Sequence, residues 1–135
     1  MNIVDSSAWL EYFAAGPNAE FFAAAIEATD DLVVPSITLY EVFKRVALQR
    51  GESEALAAVA QMQQGNVVEL SGSLALDSAR TSLDLKLPMA DSVILTTARA
   101  FDATLWTQDA DFEGVSGVMY ASKAPDQRIQ RTATG

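Results

Sequence analysis

Apolar residues along this chain follow two rhythms: short continuous runs of strand length, and longer stretches with helical spacing. Residues 2–5 read as a short buried strand ending in an acid, and residues 6–15 follow at once as a helix with Asp5 or Ser6 as its N-cap. Gly16-Pro17 breaks that helix. Residues 19–28 form a second one, with Phe22, Ala25 and Ile26 at helical spacing. Asp30-Asp31 mark a turn, and residues 32–34 a second, β-branched strand closed by Pro35. Ser36 is expected to cap a long helix to Arg50, ended by Gly51. Residues 53–63 give an Ala-rich helix, 67–70 a third strand and 73–83 another helix. Pro88, suited to a first turn, opens a helix through Phe101. Residues 104–107 form a fourth strand, and 118–120 fit a fifth.

Strands alternating with helices predict an α/β fold around a mostly parallel sheet of four or five strands. Crossovers in such sheets are right-handed, and ligands lie outside the carboxyl ends of the strands. That rule selects among the acids. Asp5 ends the first strand and Asp109 lies just past the fourth, so both project to one edge of the sheet.

Composition narrows the chemistry. The 135 residues suit one compact domain, expected over 1–123, with a polar tail at 124–135 that is expected to fray. There is no His and no Cys. Zinc fingers, haem ligation by His, iron–sulfur clusters and nucleophile systems built on Ser-His-Asp or Cys-His are therefore excluded. The lack of Cys fits a cytoplasmic protein, the start shows no basic signal region, and no apolar run approaches the length of a membrane span. Acid–base or metal chemistry must come from carboxylates.

The formal net charge is −9, which by itself argues against nucleic acid. Its distribution is uneven: residues 1–34 carry six acids and no base, while Lys86, Arg99, Lys123, Arg128 and Arg131 come late. Lys44, Arg45 and Arg50 read most simply as a solvated helix face.

Local pattern leaves the other acids open. Asp91 falls in a first helical turn, where the helix dipole alone favours an acid by about 0.3–1 kcal/mol. Glu41 faces away from the main apolar stripe of its helix, in line with Ile37 and Leu48, which hints at partial burial. It also has the i,i+4 spacing of an ion pair with Arg45. The stretch from Asp109 to Gly114 matches the early positions of a calcium loop, but position twelve would be Tyr120 and the flanks read as strands, which argues against an EF-hand. Trp9 and Trp106 are expected in the core rather than as base-stacking platforms.

Four blocks carry a family resemblance: Ile3-Val4-Asp5-Ser6-Ser7, Pro35-Ser36-Ile37-Thr38-Leu39-Tyr40-Glu41, Leu87-Pro88-Met89-Ala90-Asp91-Ser92, and Leu105-Trp106-Thr107-Gln108-Asp109-Ala110-Asp111-Phe112. In this order they resemble PIN-domain ribonucleases, most closely the VapC-type toxins of bacterial toxin–antitoxin modules. The resemblance implies a three-layer α/β/α sandwich. It also implies a catalytic set of Asp5, Glu41, Asp91 and Asp109, with Asp5 and Asp91 as metal ligands. Ser6 and Thr107 would orient the carboxylates, and Asp111 would supplement Asp109. An antitoxin partner and a homodimer are implied as well.

The chemistry agrees with the resemblance. Two unit charges at 4 Å repel by about 4 kcal/mol at an effective dielectric near 20, so a carboxylate cluster takes up protons or binds a hard cation. Oxygen ligands select Mg²⁺ or Mn²⁺. The expected activity is metal-dependent cleavage of RNA, at a single-stranded or looped site where phosphates are exposed. Lys44, Arg45, Lys86 and Arg99 are candidate holders of the RNA backbone. With four negative charges assigned to the site, −5 remains elsewhere, predicting weak, salt-sensitive RNA binding without metal. Rival readings are an aspartate phosphotransferase, disfavoured because Ser7 stands where a second acid is wanted, a non-catalytic RNA- or partner-binding scaffold, and a DNA nuclease.

Overall fold

A computed structural model describes residues 1–123. The strands are β1 (Asn2–Val4), β2 (Leu32–Pro35), β3 (Asn66–Val68), β4 (Thr104–Thr107) and β5 (Val118–Tyr120). The helices are α1 (Ser6–Phe13), α2 (Ala19–Glu27), α3 (Ser36–Arg50), α4 (Glu52–Met62), α5 (Gly72–Leu85) and α6 (Met89–Ala100). Short 3-10 turns occupy Thr29–Asp31 and Ala110–Phe112. The expected tail at 124–135 lies outside the described residues.

The sheet is parallel throughout, in the order β3-β2-β1-β4-β5. The chain builds outward from β1 to β2 and β3, then crosses back to place β4 on the other side of β1. The carboxyl ends of β1 and β4 therefore flank the point where winding reverses, the crevice where open α/β sheets bind ligands.

Both faces of the sheet are covered, which is why its strands are apolar at successive positions rather than alternately. Val4, Leu32, Val34 and Trp106 point to one face, where they meet Trp9 of α1, Phe22 and Ile26 of α2, Val42 of α3 and Met62 of α4. Ile3, Val33 and Leu105 point to the other, against Ile94, Leu95 and Ala98 of α6. The result is the expected three-layer α/β/α sandwich. At about 25 cal/mol per Å² of apolar surface, each fully buried Leu, Ile or Phe contributes about 1.5–3 kcal/mol.

Several boundaries differ from the sequence reading for identifiable reasons. Ser36 does not cap α3; the cap is Pro35, in extended conformation, and Thr38 Oγ1 donates to the Pro35 carbonyl at 2.7 Å. Ala15 takes a left-handed backbone (φ 52°), so α1 stops at Phe13. The third strand ends at Val68, paired with Pro35, because β2 gives way to α3 there and no partner remains for Glu69 and Leu70. Ser71 accepts from the Leu74 N–H at 3.1 Å, which starts α5 earlier than expected. Gly65 lies so close to β2 that a Cβ there would sit 2.9 Å from Val34 Cγ2 and 3.0 Å from the Leu32 carbonyl oxygen.

Candidate active site

Asp5 stands at the carboxyl end of the central strand and is the N-cap of α1. It is 2% exposed. Its Oδ1 accepts from the Ala8 N–H at 3.0 Å and from Ser7 Oγ at 2.8 Å, and its Oδ2 accepts from Thr107 Oγ1 at 2.5 Å. Burial pushes its pKa up to about 6, against the opposing pull of these three donors and with a smaller push from the charge on Asp109. Oδ2 accepts a single hydrogen bond and so retains capacity for a further partner.

Thr107, wholly buried at the end of β4, links two acids. Its hydroxyl donates to Asp5 and accepts from the Asp109 N–H at 2.9 Å. Asp109 Oδ1 accepts in turn from the Asp111 N–H at 2.9 Å, opening the 3-10 turn. Asp91, in the first turn of α6, completes the group: Asp91, Asp109 and Asp111 each offer a carboxylate oxygen, all within 4.8 Å of one another. Burial pushes the Asp91 pKa up to about 7, aided by the charges of Asp109, Asp5 and Asp111. Glu41, half-buried in α3, is reached from α1 by Ser6, whose Oγ donates to Glu41 Oε1 at 2.5 Å.

Asp5, Glu41, Asp91 and Asp109 thus line one cleft of about 640 Å³. Ser6 and Thr107 each hold a carboxylate, and Asp111 belongs to the tightest acidic group, a larger place than its supplementary one in the sequence reading. Ser7 and the Ala8 N–H were missed. Their signal was the Asp-Ser-Ser start of a helix, where an N-cap acid accepts from the first turn. Among the described residues Glu41 and Arg45 form no ion pair; Glu41 is taken by Ser6 instead.

Of the four bases nominated from sequence, Arg45 lines the cleft. Lys44 instead lies over the Tyr40 ring, 5.6 Å from its centre, Lys86 caps the end of α5 in left-handed conformation, and Arg99 borders a separate hollow beside Asp102 and Gly117. Arg50 and Lys123 also line the cleft, although Arg50 is engaged by Glu54 at 3.6 Å. Both tryptophans pack as expected. Trp9 is buried and stacks on Phe13 at 5.6 Å, and Trp106 lies 5.2 Å from Phe21 and donates its Nε1–H to Asn2 at 2.9 Å.

A cluster made only of carboxylates, with the Asp91 pKa pushed up by burial and then by its acidic neighbours, fits a hard divalent cation. It offers no soft or imidazole donor that would favour zinc or copper.

The PIN domain family model matches residues 3–118. The chain belongs to the PIN-domain family. The PIN fold is shared with solved structures. A toxin–antitoxin complex from Klebsiella pneumoniae aligns with a TM-score of 0.72 at 25% identity, covering 88% of this chain and 96% of that one. VapC20 from Mycobacterium tuberculosis, a Sarcin-Ricin loop cleaving toxin, aligns at 0.70 and 17% identity, covering 86% and 95%. DNA-bound VapBC from Salmonella typhimurium aligns at 0.67 and 17% identity, covering 90% and 98%. No curated protein sequence matches the chain. Each of the four blocks that resemble the PIN family supplies one acid to the cleft: Asp5, Glu41, Asp91 and Asp109.

Proposed function

We propose that this PIN protein is a metal-dependent endoribonuclease and the toxin of a toxin–antitoxin pair. The observation that carries the reading is the convergence of Asp91, Asp109 and Asp111, beside Asp5, at the point where the sheet's winding reverses. Asp91, Asp109 and Asp111 would hold Mg²⁺ or Mn²⁺, with Asp5 joining through the remaining capacity of Oδ2. The bound cation would lower the pKa of water and stabilise charge on phosphate oxygens.

The protein's own groups prepare that site. Thr107 and Ser7 fix the Asp5 carboxylate, and Ser6 fixes Glu41, so the acids are aimed before substrate arrives. Glu41 stands outside the three-carboxylate group on another helix, and its role is to orient the attacking water or accept its proton. Asp109 sets the turn that presents Asp111. Without histidine, proton transfer rests on these carboxylates.

RNA is the proposed substrate, cut where a loop exposes single-stranded phosphates; the fold neighbour that cleaves the Sarcin-Ricin loop supports this. A cognate antitoxin is the proposed protein partner, supported by likeness to a toxin–antitoxin complex and to VapBC structures. A homodimer working in the cytoplasm completes the proposal. Among the described residues no helix is long and apolar enough to cross a membrane.

Purified protein should cut RNA but not DNA of matched sequence, stop in EDTA and recover in Mg²⁺ or Mn²⁺. Cleavage of DNA alone, or RNA cleavage indifferent to EDTA and to Asp91→Asn, would overturn the proposal.

A further inference from the structure

A hydrogen-bonded bracket stands at the edge of the cleft, outside the acidic cluster. The Asn18 backbone N–H donates to Glu11 Oε2 at 2.8 Å, closing the connection between α1 and α2. The side-chain amide of Asn18 donates to Gln108 Oε1 at 3.1 Å and to the Ser122 carbonyl at 2.9 Å. Both amide protons are thereby used, each on a segment distant in sequence. Gln108 is buried beside Thr107, and the neighbouring Ala121 N–H donates to the Thr107 carbonyl at 3.0 Å. The chain leaving β5 is therefore fixed from two sides just before Lys123.

Lys123 lines the same cleft as the acids and as Arg45, which comes from a different element. Among the described residues neither cation is in a salt bridge, although acids stand in the same cleft. A lysine that served only to meet solvent would need no such bracket. A lysine that must meet an anion in a cleft ending in carboxylates does need one, because it has to stand clear of those acids while offering its charge to the ligand. Lys suits a phosphate as a point charge.

Building on the ribonuclease reading, we propose that Lys123 binds a backbone phosphate of the RNA adjacent to the scissile one, and that Asn18 is its positioning residue. Asn18 itself touches no substrate. It fixes the backbone from which Lys123 reaches.

Steady-state cleavage of a single-stranded RNA, measured over a range of salt, tests this. Lys123→Gln should raise KM about tenfold, the scale of one hydrogen bond to a charged group, and leave kcat nearly unchanged. The slope of log KM against log salt should fall by about 0.7, one phosphate contact on a single strand. Lys123→Arg should restore both. Asn18→Ala should reproduce the KM rise and the reduced slope, and should add nothing to Lys123→Gln. If Asn18→Ala lowers only the melting temperature or kcat and leaves the salt slope alone, the bracket is a staple of the fold and the proposal is overturned. An unchanged KM and slope in Lys123→Gln overturns it equally. Wild-type protein that cuts no RNA would instead overturn the ribonuclease reading itself, and this proposal with it.

Discussion

The two halves of the acidic site are built on opposite terms. At the end of β1, Asp5 is sealed from water and held by three donors from α1 and β4. At the start of α6, Asp91 is half-exposed and faces two further acids within 4.8 Å. Both carboxyl groups hold a proton more tightly than a free aspartate, Asp5 almost wholly through burial and Asp91 through burial joined by three like charges. One half is held by donors from the protein, and the other gathers like charges. Substituting either should abolish activity, but the fold should respond with opposite signs. Asp5→Asn and Asp91→Asn should each reduce RNA cleavage by more than about 100-fold, the upper range for losing a mere supporting partner of a metal ligand. Below pH 6, where Asp5 is already neutral, Asp5→Asn should also destabilise the fold by about 1–3 kcal/mol, because Thr107 loses its acceptor in a buried setting. Asp91→Asn should raise the melting temperature of the metal-free protein by removing a like charge. Thermal melts in EDTA beside cleavage assays decide it; two variants that destabilise alike would erase the distinction.

Thr107→Val attacks the joint between the halves. The shape is kept, but Asp5 loses its closest donor and the Asp109 N–H its acceptor. Cleavage should fall about 10–100-fold, as expected for a group that orients a ligand. The lost buried hydrogen bonds should cost about 1–3 kcal/mol in denaturant unfolding. A variant with wild-type activity would show that the link between Asp5 and Asp109 has no catalytic consequence.

A third test separates protons from cations. Unfolded aspartates ionise near 3.8, whereas folded Asp5 and Asp91 keep their protons to about 6 and about 7. Between these values the native state binds more protons than the unfolded one, so this contribution to stability is full below about pH 4. It is lost as pH rises through 6 and 7. Buried Asp5 alone accounts for about 3 kcal/mol of that loss. Metal-free protein should therefore melt higher at pH 5.5 than at pH 8. Mg²⁺ should invert the order of gains: at 100 times its dissociation constant it stabilises by about 2.7 kcal/mol, and the full effect needs ionised carboxylates. Equal Mg²⁺-induced shifts at pH 5.5 and pH 8 would show that these acids are not where it binds.

The sealed half was far more legible in the sequence than the open half. Asp5 could be placed at a strand end because Ile3 and Val4 are apolar and Ser6 and Ser7 begin a helix, a purely local signal. The α/β layering followed from apolar runs of strand length between helical stretches, and the reversal of winding at β1 put the expected edge to use. Glu41 and Asp91 were ambiguous because a helical acid looks alike whether it meets solvent, a lysine or another acid. The four-block resemblance, rather than periodicity, brought them in. The partners that fix the site were harder still. The bonds from Thr107 to Asp5 and from Ser6 to Glu41 join residues 102 and 35 apart, and the bracket at Asn18 reaches residues 90 and 104 away. The bases were only partly legible for the same reason: Arg45 lines the cleft, but Lys44 settles on the Tyr40 ring one turn back, and Lys123 is brought to the cleft by the fold.

The smallest effect should come from Asp111, and it probes how open the open half is. Asp111 is exposed, sits on a 3-10 turn and donates its N–H to Asp109, so its side chain can change without disturbing the turn's own hydrogen bond. Asp111→Asn keeps an oxygen ligand but removes one charge from the group. Half-maximal activity should then need several-fold more Mg²⁺, while activity at saturating Mg²⁺ stays close to wild type. Because Asp111 is among the groups that hold the Asp91 proton on, the acidic limb of the pH profile should also move to lower pH. A cleavage titration in Mg²⁺ at several pH values reads both. If the Mg²⁺ requirement is unchanged and the acidic limb stays put, Asp111 is a bystander, and the cation must be held by Asp91 and Asp109 with Asp5, joining the two halves that otherwise differ so sharply.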